Sequence, residues 1–285
     1  MTLQLLLEEG ISALSKAGIG EAELDARYLL LEAFHTDMTH FLLDRSRKLS
    51  EDEFTEKAAL EYRSMVEMRS KRIPLQQITG SREFMGLEFY VNESVLIPRQ
   101  DTETLVELVL KEHKGKKIRV LDMCTGSGCI AVSLAVLGDF DCVTAVDISS
   151  EALKVAGRNA DRLAGKDRIE LVESDLFSAL DKGRKFDVIV SNPPYIPTEV
   201  IRGLEPEVKD HEPMLALDGK EDGLYFYRRL AAECGQYLNP GGAVYFEIGY
   251  DQGEPVSGLL KNQGFGEIRV IKDAAGLDRV VCAVS

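Results

Sequence analysis

The feature that most constrains the fold of this chain is the alternation of short apolar runs with helix-like segments from about residue 101 onward. The first four apolar runs lie at about residues 120–123, 142–146, 169–172 and 186–191. Strands that alternate with helical crossovers form a parallel sheet with helices packed on its faces. The sequence therefore predicts an α/β fold, and its 285 residues are enough for a second domain.

The end of the chain carries three further strand-like runs, at residues 243–248, 267–271 and 279–284. The last two runs are too close together for a helical crossover, and Gly276 lies in the connection between them. A hairpin at this point places one antiparallel strand in the sheet. We therefore expect seven strands in a Rossmann-like sheet, of which one is antiparallel.

The N-terminal part of the chain contains only helix-like patterns, with leucines at helical spacing in the first segment. Ser50 and Glu53 have the spacing of a capping box for a long helix that Pro74 closes. Residues 83–91 read as two short strands that turn at Gly86. We expect a helical bundle for substrate recognition at residues 1–75, a hairpin linker at 76–100 and a catalytic domain at 101–285.

Two consecutive prolines follow the fourth apolar run, in the sequence Asn192, Pro193, Pro194, Tyr195. They cannot continue a central strand, so the chain must leave the sheet there. An Asn side-chain oxygen and a backbone carbonyl are uncharged acceptors that can hold a planar –NH2 group, while Tyr195 stacks on its plane. An ordinary turn and a docking peptide are the simpler interpretations, although a docking peptide is expected in a flexible polar segment.

A glycine-bearing turn lies between the first apolar run and the helix that follows it, at residues 120–131. Gly126 and Gly128 match the start of the G-x-G-x-x-G fingerprint, but Ala131 stands at the third glycine position. Asp147 ends the second run, where such folds place a carboxylate on ribose hydroxyls. Asp175 follows the third run and is a candidate hydrogen-bond acceptor for the exocyclic amine of an adenine.

Together these four strand ends resemble the class I S-adenosylmethionine-dependent methyltransferases. The resemblance implies S-adenosylmethionine as cofactor, with S-adenosylhomocysteine as product. The cofactor-binding residues that it implies are Asp122, Cys124, Thr125, Gly126, Ser127, Gly128, Asp147, Asp175, Leu176 and Asn192. It implies a catalytic role for Asn192, Pro193 and Tyr195, and substrate binding by Asn192, Pro193, Pro194 and Tyr195. Helix capping remains an alternative for Asp122 and Asp175.

Outside the cofactor motifs, a narrower resemblance covers nearly the whole chain. Together with the helical N-terminal part, the chain is similar to the peptide-chain-release-factor glutamine N5-methyltransferase family through residues 97–103, 191–197, 212–213, 216–219, 247–253 and 276–281. It departs from the family pattern at Gln100, where proline is usual, at Cys124, where glycine is usual, and near Gln77, where an aromatic residue is usual. The implied substrate is the Gln of the Gly-Gly-Gln loop of bacterial class I release factors.

Two features near the implied site stay open. Arg99 and Glu103 are candidates for an ion pair beneath the site. Glu247, at the end of the fifth strand, either faces the cofactor pocket or only terminates its strand.

The net charge of −14 disfavours tight, sequence-independent binding to nucleic acid, which needs a cationic surface. A cluster of four basic residues is either a local basic patch or, more simply, a solvated helix face: Arg63, Arg69, Lys71 and Arg72. An N6-adenine methyltransferase would share the Asn192–Tyr195 chemistry but would need cationic surface to hold a flipped base. A cofactor-binding regulatory protein without catalysis is the second alternative.

The five cysteines have no paired metal spacing, and the four histidines do not cluster, so we expect no metal site. An odd cysteine count without a signal peptide is typical of reduced thiols in the cytoplasm. No window approaches the roughly 20 apolar residues of a membrane span. We therefore expect a cytoplasmic enzyme with a protein substrate, no membrane association and no stable nucleic-acid partner.

Overall fold

A computed structural model describes residues 1–140 and 142–285. The helices of these residues are α1 Leu3–Lys16, α2 Ala22–Ala33, α3 Met38–Asp44, α4 Glu53–Ser70, α5 Leu75–Thr79, α6 Glu103–His113, α7 Cys129–Gly138, α8 Ser150–Leu163, α9 Thr198–Ile201, α10 Pro206–Lys209, α11 Met214–Leu217, α12 Tyr225–Cys234 and α13 Gly253–Asn262. Two 3-10 turns occupy Gln100–Thr102 and Gly235–Tyr237. None of the helices in this part of the chain is long and apolar enough to cross a membrane.

The strands are β1 Ser81–Phe84, β2 Leu87–Tyr90, β3 Arg119–Met123, β4 Cys142–Asp147, β5 Ile169–Glu173, β6 Phe186–Ser191, β7 Leu238–Glu247, β8 Gly266–Lys272 and β9 Asp278–Val284. The chain divides into two compact units. One unit comprises Met1–Gly80 and Glu205–His211, and the other comprises Ser81–Leu204 and Glu212–Ser285. Each unit has its own buried core.

The helical unit is built around the leucine stripe of α1. Leu6 and Leu14 are fully buried, together with Leu29 and Leu30 of α2 and Tyr62 of α4. Their spacing places them on one face of each helix, so the three helices share a single core. The predicted helical bundle is confirmed.

The expected capping box of α4 is wrong. The helix begins at Glu53, and Asp52 is its N-cap, because the Asp52 carboxylate accepts the Thr55 backbone N–H at 2.8 Å. Ser50 instead donates its hydroxyl to the Asp52 carboxylate. Asp caps as well as Ser does, and Asp52 lies two residues nearer to the first turn.

A short segment from the C-terminal half of the sequence, Glu205–His211, belongs to the helical unit. Glu207 of this segment accepts hydrogen bonds from Arg69 at 2.9 Å and from Arg72 at 2.7 Å. Arg69 also donates to the buried Asp25 carboxylate at 2.7 Å. The interpretation of these arginines as a solvated helix face is therefore wrong for Arg69, which is only 8% exposed.

The second unit starts with the β1–β2 hairpin, which turns at Met85 and Gly86 as the sequence predicted. Both turn residues have positive φ, at 53° and 72°, the combination that suits a two-residue hairpin. The seven other strands form one sheet in the order β5-β4-β3-β6-β7-β9-β8. β9 runs opposite to the other six strands, because both β7 and β8 pair with it in antiparallel fashion. The predicted α/β methyltransferase-like sheet with one antiparallel strand is confirmed.

Helices cover both faces of this sheet, since side chains alternate along each strand. Val120 and Val188 face α6 and α7 in one buried cluster. Leu121 and Ile189, their immediate neighbours in sequence, face α12 and α13 in the other. With both faces covered, the carboxyl ends of the parallel strands are left as the edge at which side chains can form a site.

Candidate active site

A cavity of about 300 Å³ lies at the carboxyl ends of β3, β4, β5 and β6. Each of the four strands supplies residues to its wall just after the strand ends. The lining residues that the sequence predicted are Cys124, Thr125, Gly126, Ser127, Asp147, Asp175, Leu176, Asn192 and Pro194. The structure thus brings residues from four separate motifs to one cavity. Asp122, Gly128, Pro193 and Tyr195 do not line it.

The turn after β3 exposes its backbone to the cavity. Gly126 has φ of 55°, and beyond its own chain neighbours no protein atom lies within 4 Å of where a side-chain Cβ would sit. Gly128 has a different role, since a Cβ there would lie 3.1 Å from the Ala156 Cβ. The first glycine leaves room in the cavity, and the second allows α7 and α8 to pack closely.

Asp122 lies beneath the turn rather than against the cavity. It is fully buried and accepts hydrogen bonds from the Thr125 hydroxyl at 2.5 Å and from the Ala131 backbone N–H at 3.1 Å. Ala131 is in the first turn of α7, whose N–H groups have no helical partner. Asp122 therefore holds the turn and caps the helix, in line with the capping alternative, and it does not line the cavity.

Asp147 connects the second strand end to the glycine turn. One carboxylate oxygen accepts the Gly126 N–H at 2.8 Å, and the other accepts the Ser149 N–H at 2.9 Å. Burial raises the pKa of this carboxyl, and the backbone donors oppose the shift. A carboxylate has about four acceptor positions, so Asp147 retains capacity for a further donor.

Asp175, which is exposed, forms an ion pair with Arg229 of α12 over 2.7 Å. Both residues line the cavity, and no sequence motif indicated this arginine. The neighbouring Leu176 has φ of 49°, an uncommon conformation for a branched residue, and its side chain is buried. Arg229 limits how the Asp175 carboxylate can be oriented towards a ligand.

Asn192 places its side chain at the cavity beside the glycine turn. Its amide N–H donates to the Thr102 hydroxyl oxygen over 3.3 Å. Pro194 also lines the cavity, whereas Pro193 is buried and the Tyr195 ring packs against the cluster around α12 and α13. The stacking role of Tyr195 stays a prediction.

Two later parts of the chain, residues 217–223 and Gln252, hold the loop after β6. The Ile196 N–H donates to the Leu217 carbonyl at 3.1 Å, and the Gln252 side chain donates to the Tyr195 carbonyl at 3.1 Å. Residues 217–223 pass so close to this loop that a Cβ at Gly223 would lie 2.3 Å from the Tyr195 carbonyl oxygen. These contacts join residues far apart in sequence, which is why the motif alone did not reveal them.

The candidate ion pair between Arg99 and Glu103, which the sequence left open, does not form. Arg99 pairs with the buried Glu212 over 2.5 Å, and Glu212 also accepts the Ile97 N–H at 3.0 Å. Glu103 instead accepts the Met85 N–H at 2.6 Å and so anchors the hairpin turn. Burial raises the pKa of Glu212, an effect that the Arg99 guanidinium opposes.

Glu247, at the end of β7, is buried behind the cavity and does not line it. Its carboxyl faces the hydroxyls of Thr102 and Tyr195, and burial raises its pKa to about 7. One of its oxygens, Oε2, makes no hydrogen bond. Among the described residues, no group of His, Cys, Asp and Glu is arranged to hold a metal ion.

The sequence missed part of the cavity wall. Thr102 and a loop after the hairpin contribute, as do residues that follow Glu212 and residues of α12. These additional lining residues include Ser94, Val95, Leu96, Pro98, Thr102, Pro213, Leu215, Ala216, Lys220, Tyr225, Phe226 and Arg229. Most carry no motif, and only folding brings them to the strand ends.

Two family models match the chain: the PrmC N-terminal domain over residues 6–80 and the methyltransferase small domain over residues 99–202. The fold and the cavity at the strand ends are those of an S-adenosylmethionine-dependent methyltransferase. Among solved structures, a methyltransferase from Pyrococcus furiosus matches with a TM-score of 0.53 and 20% identity, covering 70% of this chain and 90% of the other. That likeness concerns the fold alone.

Relatives define the family more narrowly. The release factor glutamine methyltransferase of Clostridium botulinum (strain Hall) is 40% identical over an alignment of 285 positions, which covers 99% of this chain and 99% of the relative. That of Geobacter sulfurreducens is 42% identical over 280 residues, covering 98% of this chain and 95% of the relative. This chain belongs to the release factor glutamine methyltransferase family.

The cavity fits S-adenosylmethionine, the cofactor of this class. The open space above Gly126 leaves the turn backbone accessible to the methionine part. Asp147 adds a buried carboxylate acceptor to the same wall, and Asp175 with Leu176 lies at the next strand end.

Proposed function

We propose that this protein transfers a methyl group from S-adenosylmethionine to the side-chain amide nitrogen, N5, of the Gln in the Gly-Gly-Gln loop of bacterial class I peptide chain release factors. Membership of the release factor glutamine methyltransferase family supports the substrate. The observation that carries the chemistry is that Asn192 lines the same cavity as Gly126 and Asp147. An acceptor for a planar –NH2 group therefore lies beside the cofactor-binding residues.

A primary amide nitrogen is a weak nucleophile, because its lone pair is delocalised into the carbonyl. When bound, S-adenosylmethionine supplies a methyl group on a positively charged sulfur. The chain's contribution is to orient the substrate nitrogen towards that methyl group, and orientation can supply roughly 7–11 kcal/mol. The Asn192 side-chain oxygen and the Pro193 carbonyl each accept one N–H of the substrate amide.

These two acceptors also stabilise the positive charge that develops on nitrogen, which is removed when the methylated nitrogen loses one proton after transfer. Tyr195 bounds the plane of the amide, and Pro194 restricts the loop through its fixed φ. The loop is further held by Gln252, which donates to the Tyr195 carbonyl. The acceptors are therefore positioned before the substrate arrives.

The test is methyl transfer from labelled S-adenosylmethionine to unmethylated release factor, followed by mass mapping of the Gly-Gly-Gln peptide. Asn192→Ala should lower kcat by about 100-fold or more, because the transition state loses an oriented acceptor. The Kd for S-adenosylmethionine should change by no more than about threefold, or less than 1 kcal/mol. Asn262→Ala, an exposed asparagine at the end of α13, is the matched control and should change neither value.

Equal losses in turnover and cofactor affinity in Asn192→Ala would remove the assigned role of Asn192. Label on a nucleic-acid substrate but not on the release factor would transfer the assignment to an N6-adenine methyltransferase. Cofactor binding without transfer to any substrate would indicate a regulatory protein. We place the reaction in the cytoplasm, where release factors act, and assign substrate recognition outside the cavity to the helical unit.

A further inference from the structure

Thr102 connects Asn192 to the interior of the sheet unit. Its hydroxyl oxygen accepts one N–H of the Asn192 amide over 3.3 Å. Thr102 is 2% exposed, so its own hydroxyl hydrogen cannot be given to solvent and needs a buried acceptor. A threonine hydroxyl carries one donor hydrogen as well as its acceptor lone pairs.

The buried carboxyl that interacts with the Thr102 side chain is that of Glu247, and this interaction favours the charged form of Glu247. Glu247 is 1% exposed, and its Oε2 has no hydrogen-bond partner, so it has acceptor capacity to spare. Its backbone is fixed, because the Tyr227 hydroxyl donates to the Glu247 carbonyl at 2.6 Å. A buried carboxylate without full hydrogen bonding is costly and needs a reason to be there.

We propose that Thr102 and Glu247 are positioning residues that set which end of the Asn192 amide faces the substrate. Glu247 accepts the Thr102 hydroxyl hydrogen, and the Thr102 oxygen then accepts an N–H of Asn192. This directional chain turns the Asn192 side-chain oxygen towards the cavity. The inference rests on the proposed function, in which that oxygen accepts an N–H of the substrate amide.

The orientation matters because the two ends of an Asn side chain are nearly identical in shape but opposite in hydrogen-bonding character. A reversed Asn192 would present an N–H donor to the N–H of the substrate. If Glu247 were protonated, it could donate to Thr102, and Thr102 could then donate to the Asn192 oxygen. The reversed orientation would then be the favoured one.

The titratable and charged groups around Glu247 come from several elements: Asp101, Cys129, Tyr195, Tyr227 and Arg279. Burial raises the pKa of Cys129 to about 12 and raises the pKa values of both tyrosines, so these three stay neutral near pH 7. Arg279 stays charged. Because the pKa of Glu247 is about 7, its protonation should produce an acid limb in kcat.

The experiment measures kcat, KM for release factor and Kd for S-adenosylmethionine in Thr102→Val, Thr102→Ser and Glu247→Gln, from pH 5.5 to 9. Thr102→Val keeps the shape but removes the hydroxyl, and kcat should fall by about 10- to 100-fold. Thr102→Ser should restore most of the activity. Glu247→Gln retains an acceptor for Thr102 but cannot titrate, so its profile should lose the acid limb.

Thr144→Val is the matched control, since Thr144 is a buried threonine whose hydroxyl accepts from Arg184 at 2.6 Å outside the cavity. It should lower stability without lowering kcat. Wild-type kcat in Thr102→Val, or an unchanged acid limb in Glu247→Gln, would overturn the positioning role while leaving the methyltransferase function intact. A wild-type protein that does not methylate the Gln would overturn both.

Discussion

The Asp122 carboxylate accepts the Thr125 hydroxyl at 2.5 Å, directly beneath the turn that forms one wall of the cavity. The same oxygen accepts the Ala131 N–H in the first turn of α7. One buried side chain therefore fixes both the shape of the turn and the start of the helix. The acidic residue of this motif therefore shapes the cavity wall through the backbone it supports.

Asp122→Ala should destabilise the protein by about 2–4 kcal/mol, because two buried donors lose their acceptor. The Kd for S-adenosylmethionine should rise as the turn loses its support. Asp122→Asn, which keeps one acceptor oxygen, should cost less. Chemical denaturation and calorimetric titration measure the two effects, and an unchanged unfolding midpoint in Asp122→Ala would contradict the supporting role.

Asp122 should also make stability depend on pH. Burial raises its pKa from the usual 3.8 to about 7, so the folded state binds a proton more readily than the unfolded state. The contribution of this protonation to the free energy of unfolding is fully present below about pH 4 and is lost as the pH rises towards 7. Relative to Asp122→Asn, the wild-type free energy of unfolding should fall by about 2–4 kcal/mol between pH 4 and 8. A constant difference between the two curves would exclude this linkage.

Cys124 has φ of 62° and lines the cavity. The Cβ of a non-glycine residue is disfavoured in this left-handed conformation. Cys124→Gly and Cys124→Ala both remove the thiol, but only glycine relieves that strain. The glycine variant should therefore be more stable than the alanine variant by about 1 kcal/mol, as read from denaturant unfolding. The reverse order would show that the turn carries no strain at this residue.

Asp147→Ala should raise the Kd for S-adenosylmethionine by about 10- to 100-fold, because the ribose loses a charged acceptor and the Gly126 N–H loses its partner. Isothermal calorimetry measures this directly. Glu173→Ala is the control. Glu173 lies opposite Asp147 in the register of the neighbouring strand but does not line the cavity. Equal effects in the two variants would remove the specific role of Asp147.

Arg69→Met should destabilise the helical unit by about 3–5 kcal/mol, since it leaves the Asp25 carboxylate buried without its cation. Arg63→Met is a control on the same helix, because Arg63 pairs with Glu9 at the surface. An exposed pair contributes about 0–1 kcal/mol. Hydrogen exchange of α2 and α4 reports the local loss, and similar protection in both variants would refute the buried ion pair.

The sequence alone determined the class of the fold and the position of most of the site. The alternation of strands and helices implies a parallel sheet, and the carboxyl ends of parallel strands meet at one edge. The end of a strand carries each of Cys124, Asp147, Asp175 and Asn192 or lies just before it, so their convergence could be predicted without any tertiary information. Local patterns suffice where the chemistry lies next to a regular element.

Only the tertiary structure decided which side chains face the cavity and which support it. Asp122 lies under the turn, Arg229 pairs with Asp175, and Thr102 meets Asn192 across 90 positions of sequence. Burial and hydrogen-bond direction depend on which distant elements pack together, and no local pattern records that packing. The sequence therefore predicted the edge of the sheet at which the cavity lies, and the packing of distant segments decided how the side chains around that cavity are oriented.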